Sequence, residues 1–278
     1  MILTVLGSGG STGVPSLFCS CAVCENARNN PDSQDYRRCT CYLLDDDTLI
    51  DLGPDFREQV RLNAVDLKKV RQLLLTHSHG DHLDMNSIGR RIAPKFSEDP
   101  PPLDFYADDA GSKCIGGSDL DRFPLYNITP RPIHPGEKRI SADGSLEIFA
   151  LRATHDPATT PLNYILRRNG RTLLIANDTG WWHDDTWQTA ERAGYCCDAA
   201  VIDCYGGIAD PDTTAAHLGL NSMKRFYDEL VSRKILKDHA PAFGTHFDHH
   251  SGCIHRDLTA AMMPYGFTPL YDGMKITI

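Results

Sequence analysis

Thr76-His77-Ser78-His79-Gly80-Asp81-His82-Leu83-Asp84 places three imidazoles and one carboxylate within six consecutive positions, and the rest of the chain is read outward from it. The apolar run from Val70 to Thr76 has strand length, and Met85 to Arg91 can open a helix. Strand, histidine-rich loop and helix start in succession put several ligands at one end of a sheet. His77 and His79 are two apart and share a direction in extended chain. Gly80 lets the backbone turn. Asp81 and His82 are adjacent and cannot easily grip one ion together, so they suit a second ion beside the first.

A chain of 278 residues buries a large core. The balance of 28 basic against 37 acidic residues, a net charge of −9, counts against nucleic acid as a partner, because phosphate neutralisation needs a basic surface. It leaves room for a small anionic substrate, since bound cations carry their own charge. The start Met1-Ile2-Leu3-Thr4 has no basic region and too short an apolar stretch for a signal peptide. No window approaches a membrane span. The expectation is a cytoplasmic protein whose 10 cysteines are reduced or metal-bound.

Expected strands are Ile2–Leu6, Arg38–Leu44, Thr48–Leu52, Leu103–Ala107, Leu146–Ala153, Ala199–Cys204, Pro241–Thr245, Phe267–Tyr271 and Met274–Ile278. Asn163–Arg168 and Arg171–Ala176 form a hairpin about Asn169-Gly170. Expected helices are Phe56–Asn63, Trp182–Arg192, Asn221–Leu236 and His255–Met263. In the third, Met223, Phe226, Tyr227, Leu230 and Val231 recur at helical spacing and read as core. Asp45-Asp46-Asp47 reads as a solvated turn. Residues 108–135, with four prolines and three glycines, read as a loop-like insertion that shapes a pocket. Gly7-Ser8-Gly9-Gly10-Ser11-Thr12-Gly13 fits neither the dinucleotide fingerprint nor the P-loop and reads as a tight loop passing close to the site. The chain reads as one domain: two sheets face to face with helices outside.

A pair of ions about 3.5 to 4 Å apart needs a bridging carboxylate and further ligands. Three candidates each follow an apolar run: His155 after Leu146–Ala153, Asp178 after Leu173–Ala176, and His246 after Ala242–Thr245. The order Thr-His-Ser-His-Gly-Asp-His, a lone His, Asp-Thr-Gly and Gly-Thr-His resembles the metallo-β-lactamase superfamily of dinuclear hydrolases. The resemblance implies an α/β (αββα) sandwich of two mixed sheets with metals at one edge. It also implies that His77, His79 and His155 hold one ion, that Asp81, His82 and His246 hold the other, and that Asp178 bridges them.

Within that superfamily, Gly13-Val14-Pro15 followed by Cys19, Cys21 and Cys24 resembles the phosphodiesterases of the carbon–phosphorus lyase pathway, which act on phosphoribosyl 1,2-cyclic phosphate. That branch implies a structural zinc on Cys19, Cys21, Cys24 and His249, a tetrahedral set suited to zinc. It implies manganese or zinc at the active site, a homodimer, and a general acid at His217, within Thr214-Ala215-Ala216-His217-Leu218-Gly219-Leu220-Asn221. Two ions lower the pKa of a shared water and offset charge on the substrate's oxygens. Asp81 orients the nucleophile and His217 protonates the leaving group. A small phosphodiester is the expected substrate.

The rivals are a tRNA 3′-processing nuclease, which would want a basic face or arm, and a quinone-cofactor biosynthesis protein, similar in its cysteine cluster but without the complete His/Asp set. A metal carrier on the same fold is the reading from a different class. Cys39, Cys41, Cys196, Cys197 and Cys204 read as packing. His134, His183, His239, His250 and His255 read as surface or support.

Overall fold

The computed structural model describes residues 1–92 and 98–278. Its strands are β1 (Ile2–Gly7), β2 (Cys41–Leu44), β3 (Thr48–Ile50), β4 (Gln72–Leu74), β5 (Leu103–Ala107), β6 (Ile128–Pro132), β7 (Lys138–Ile140), β8 (Glu147–Arg152), β9 (Leu162–Arg168), β10 (Arg171–Ala176), β11 (Ala199–Asp203), β12 (Ala242–Thr245), β13 (Phe267–Pro269) and β14 (Lys275–Thr277). Its helices are α1 (Ala22–Asn29), α2 (Phe56–Leu62), α3 (Met85–Gly89), α4 (Asp109–Gly116), α5 (Asp184–Ala193), α6 (Leu220–Ser232) and α7 (His255–Met262).

Two seven-stranded sheets run β14-β1-β2-β3-β4-β5-β6 and β13-β12-β11-β10-β9-β8-β7. Each is antiparallel on one side and parallel on the other: β3 to β6 are parallel in the first, β10 to β13 in the second. Alternation along each strand makes the layers. In β10, Leu173 and Ile175 enter the core between the sheets, while Leu174 and Ala176 enter the core under α5, α6 and α7. In and beside β4, Leu74 faces the other sheet, and Leu73 and Leu75 join the outer core under α2, α3 and α4. Two sheets thus pack face to face with helices on both outer faces, the metallo-β-lactamase architecture.

Several expectations need correction. Residues 108–135 are not a loop-like insertion: they hold α4, a 3₁₀ turn at Phe123–Tyr126 and β6, the edge strand of the first sheet. β7 was not expected. Cys24 lies within the first turn of α1, which was not expected. Cys196 is exposed and outside β11, whereas Cys39, Cys41, Cys197 and Cys204 are buried as expected. The Asp45–Asp47 turn is not merely solvated, since Asp45 and Asp47 pair with the buried Arg168 at 3.2 and 2.9 Å. Strand ends differ by one to three residues elsewhere.

Candidate active site

The histidine-rich loop leaves β4 and is held against β3: Leu52 donates its N–H to the carbonyl of His82 at 2.8 Å, and Asp84 donates back to Leu52 at 2.7 Å. Gly53 is required here, because a Cβ at that position would overlap the carbonyl of Asp81. The loops after β8, β10 and β12 bring His155, Asp178 and His246 to the same edge. Asp51, Asp178 and His246 all have left-handed backbone, with φ of 62°, 49° and 62°. Non-glycine residues adopt that region at a cost, and such strain clusters at functional sites.

Every candidate ligand converges. The ligand atoms of His77, His79 and His155 lie within 4.8 Å of one another, as do those of His77, His82 and Asp178, and those of Asp81, His82 and His246. Asp178 sits between the sets: Oδ2 is 3.0 Å from His82 Nε2, and Oδ1 is 2.9 Å from His246 Nε2 and 4.0 Å from His155 Nε2. Asp81 Oδ2 is 3.0 Å from His82 Nε2.

The outer nitrogen of each ring is already engaged. His82 Nδ1 donates to Asp51 Oδ2 at 2.7 Å, His79 Nε2 to Asp156 Oδ2 at 2.8 Å, and His155 Nδ1 to the carbonyl of Ala216 at 3.2 Å. His77 Nδ1 meets Thr76 Oγ1 at 3.1 Å, and that hydroxyl donates to Asp51. His246 Nδ1 meets Thr40 Oγ1 at 2.9 Å, and that hydroxyl donates to the carbonyl of Gly9. Each inward nitrogen is therefore the one turned to the cluster, free to offer a lone pair to a cation, although in the metal-free site His82 Nε2 is drawn to a proton by Asp178. His77 Nε2 and His79 Nδ1 then face each other at 2.9 Å, where two lone pairs repel unless a cation lies between them. His82 Nε2 is buried and makes no in-line hydrogen bond despite two carboxylate oxygens beside it. This donor set of imidazoles and carboxylates fits a pair of zinc or manganese ions.

Charge in the site is arranged accordingly. Burial opposes protonation of His82, yet the Asp178 and Asp51 carboxylates push its pKa well above the ordinary value. Burial and neighbouring His82 push His77 well below it. For Asp178, burial would raise the pKa, but His246 and His82 hold it well below the usual carboxylate range.

His217 lies in the loop between β11 and α6, two residues before the Gly219 cap. Its Nδ1 donates to Asp203 Oδ2 at 2.9 Å, and its ring is 4.8 Å from that of His155 and 5.3 Å from that of His246. Burial lowers its pKa, but the Asp203 carboxylate outweighs this and raises it to about 9. His217 is thus a cationic ring whose second nitrogen reaches the cluster, grouped with His155 and Asp178.

A second cluster gathers Cys19, Cys21, Cys24 and His249, their ligand atoms within 4.8 Å of one another. Cys19 Sγ and Cys21 Sγ lie 3.4 and 3.7 Å from His249 Nδ1. The backbone N–H groups of Cys21 and Ser16 point at Cys19 Sγ and Cys24 Sγ. Burial raises the Cys21 pKa, but hydrogen bonds from the Cys24 backbone and from Cys19 and His249 bring it down to about 6. Burial pushes the neighbouring Cys24 thiol up to about 12 in the metal-free cluster, and three sulfurs with one imidazole are a donor set that can hold zinc.

Sequence reasoning missed the supports. Asp51, Asp156, Asp203, Thr40 and Thr76 each anchor a site histidine. The one available signal was an acidic residue closing an apolar strand, as in Thr48-Leu49-Ile50-Asp51 and Ala200-Val201-Ile202-Asp203. The glycine-rich loop does pass close to the site, with Gly10 against Tyr205 and Asp248. His250 is exposed, while His134 and His255 are half-buried and His255 accepts from Arg37 at 3.0 Å.

This fold and its His/Asp groups define a metal-dependent hydrolase of the metallo-β-lactamase type. Residues 47–239 match the beta-lactamase superfamily domain, and the chain belongs to that family. A curated protein of Porphyromonas gingivalis named octanoyltransferase is 42% identical over 242 residues, covering 77% of this chain. The chain spans only 45% of that relative's length. Among solved structures, a diphosphatase from the PhnP family is similar at a TM-score of 0.73 and 22% identity, covering 100% of this chain and 97% of its own. Zinc-bound PqqB from Methylobacterium extorquens is similar at 0.73 and 16% identity, with 100% of both chains covered. The short form of human tRNase Z is similar at 0.64 and 16% identity, covering 100% of this chain and 99% of its own. Among the described residues, no helix is long and apolar enough to cross a membrane.

Proposed function

We propose that the chain is a dinuclear phosphodiesterase acting on a small, phosphoribosyl-type cyclic phosphodiester. The observation that carries this reading is the pairing of five imidazoles, each with its outer nitrogen engaged and its inner nitrogen turned to the cluster, with His217 beside them, its pKa raised to about 9. His77, His79 and His155 would hold one ion, Asp81, His82 and His246 the other, and Asp178 both. When bound, the two ions would activate a water and neutralise charge on the phosphate. Asp81, at the rim of the cluster, accepts a hydrogen bond from the attacking water and aims it. His217 gives a proton to the departing oxygen as the phosphorus–oxygen bond breaks, a role suited to its raised pKa. Asp203 holds the His217 ring by its other nitrogen. Cys19, Cys21, Cys24 and His249 would take a structural zinc.

The likeness to a PhnP-family diphosphatase supports phosphorus chemistry. The net charge of −9 weighs against the RNA substrate of the tRNase Z relative. The relative named octanoyltransferase supports a second reading, in which an acyl thioester presents its carbonyl to the same centre. The two differ at the leaving group. A thiolate leaves without a proton, whereas an alkoxide needs one, so His217→Asn spares thioester cleavage and depresses phosphodiester cleavage.

The test is turnover by protein loaded with manganese or zinc, on a five-membered cyclic ribose phosphate, bis(4-nitrophenyl) phosphate and octanoyl thioester in parallel. The cyclic phosphate should turn over fastest, and Asp81→Asn should lower that rate about 100-fold or more with unchanged circular dichroism. Absence of phosphodiester turnover with either metal, with the thioester consumed, would replace this reading by the second.

A further inference from the structure

We infer that Tyr205 is a positioning residue for the proton donor, through the face of its ring and not its hydroxyl. The inference rests on the assignment of His217 as general acid. Tyr205 lies just past β11, and its ring stacks on His217 with centroids 4.4 Å apart and planes 19° apart. The glycine-rich loop also closes on it. A Cβ at Gly10 would come within 3.1 Å of Tyr205 Cε2, so a larger residue there would press on the ring. The backbone is tied in as well. Tyr205 N and Leu218 N both donate to Asp203 Oδ1, at 3.0 and 2.9 Å, while Asp203 Oδ2 accepts from His217 Nδ1 at 2.9 Å. One buried carboxylate therefore fixes the strand end that carries the phenol and the loop that carries the imidazole.

The mechanical reason is specific. His217 is held by a single side-chain hydrogen bond at Nδ1. A ring tied at one nitrogen can still swing about that tether and move its other nitrogen away from the cluster. The ring of His155 stands edge-on at 4.8 Å and that of His246 lies nearly parallel at 5.3 Å. Tyr205 covers one face of His217, is itself 5.9 Å from His246, and has Gly10 against its ring edge. The phenol plane blocks a swing toward that face and keeps Nε2 aimed at the departing oxygen. A misplacement of about 1 Å in such a group costs on the order of 100-fold in rate.

Leaving-group dependence tests this, because a purely structural lesion slows all substrates alike. The probes are methyl aryl phosphodiesters whose leaving phenols run from 4-nitrophenol to unsubstituted phenol. As the ester bond breaks, its electron pair goes to the phenolic oxygen. Phenol then needs the proton from His217, and 4-nitrophenolate does not. In the metal-loaded protein, Tyr205→Leu should lower kcat on the phenyl ester about tenfold or more, with KM little changed, and lower it less than about threefold on the 4-nitrophenyl ester. Tyr205→Phe keeps the ring and should restore kcat on both to within about threefold. Gly10→Ala presses on the edge of the same ring and should give the Tyr205→Leu pattern more weakly.

His217→Asn is the control. If it shows no leaving-group selectivity, the assignment of the acid fails and this inference falls with it. If His217→Asn is selective while Tyr205→Leu and Gly10→Ala slow every ester equally, or slow none, the acid stands and the role of Tyr205 is overturned.

Discussion

At the scale of single residues, the site is built by partners that never touch an ion. Asp51 is fully buried and accepts from His82 Nδ1, Thr76 Oγ1 and Thr76 N. It sets the His82 tautomer directly and the His77 tautomer through Thr76. Asp51→Asn should therefore weaken metal binding about 10- to 100-fold, read by titrating manganese or zinc into stripped protein. Unchanged affinity would mean that the ligands orient themselves. Asp203 acts likewise on His217. In metal-free protein the His217 ring should titrate near 9 by NMR, and Asp203→Asn should bring it down toward the ordinary histidine value. The sign follows from the cause: removing the neighbouring negative charge leaves burial, which favours the neutral ring. A ring that still titrates near 9 in the variant would assign the shift to other groups.

At the scale of elements, ligand-bearing strand ends were legible and their supports were not. An apolar run closed by His or Asp marks a residue that leaves a buried strand at the sheet edge, and β8, β10 and β12 all carry that signature into His155, Asp178 and His246. The anchoring contacts are invisible locally, because Thr40 lies 206 positions from His246 and Asp51 lies 31 from His82. Residues 108–135 misled because their glycines and prolines look like loop chemistry. In the fold, Gly111 lets α4 sit on Leu75 and Ala107, and Gly116 lets it meet Phe123. Pro130 and Pro132 lie on the edge strand β6, where a missing N–H is tolerated. The cysteine cluster is the clearest case of element-level linkage, since it joins the start of α1 and the segment before it to the stretch after β12 that also carries His246. Cys21→Ser should abolish zinc at that cluster and lower Tm by roughly 5 °C or more, because metal energy is folding energy there. Cys196→Ser, at an exposed thiol, should change neither. Equal Tm and zinc content in Cys21→Ser would remove the structural role.

At the scale of the whole molecule, both sheets close on a centre crowded with carboxylates. Asp51 and Asp178 are buried and Asp81 nearly so, and all three surround His82. Without cations, a proton on His82 is the charge that balances them, which is why Asp178 and Asp51 push its pKa up against burial. The consequence for stability has a definite sign. A folded pKa above the unfolded value of 6.5 means that this stabilisation is complete below about pH 6.5 and is lost as pH rises through the folded value. His77 works the other way, since its folded pKa is depressed, but its effect is confined to pH below about 6.5, where only the unfolded chain takes the proton. Between pH 6.5 and 9, then, His82 draws the metal-free Tm down, joined by His217 with its pKa of about 9 and opposed by Cys21 with its pKa of about 6, while in metal-loaded protein cations replace the His82 proton among the same carboxylates. Each tenfold gain in the proton affinity of His82 on folding corresponds to about 1.4 kcal/mol of stability at stake in that window. Scanning calorimetry of stripped and loaded protein should show the gap between their melting temperatures widening with pH. Asp178→Asn removes the larger of the two attractions on His82 and should flatten the metal-free slope. A metal-free slope from pH 6.5 to 9 that Asp178→Asn leaves unchanged would show that the two sheets close without a proton on His82.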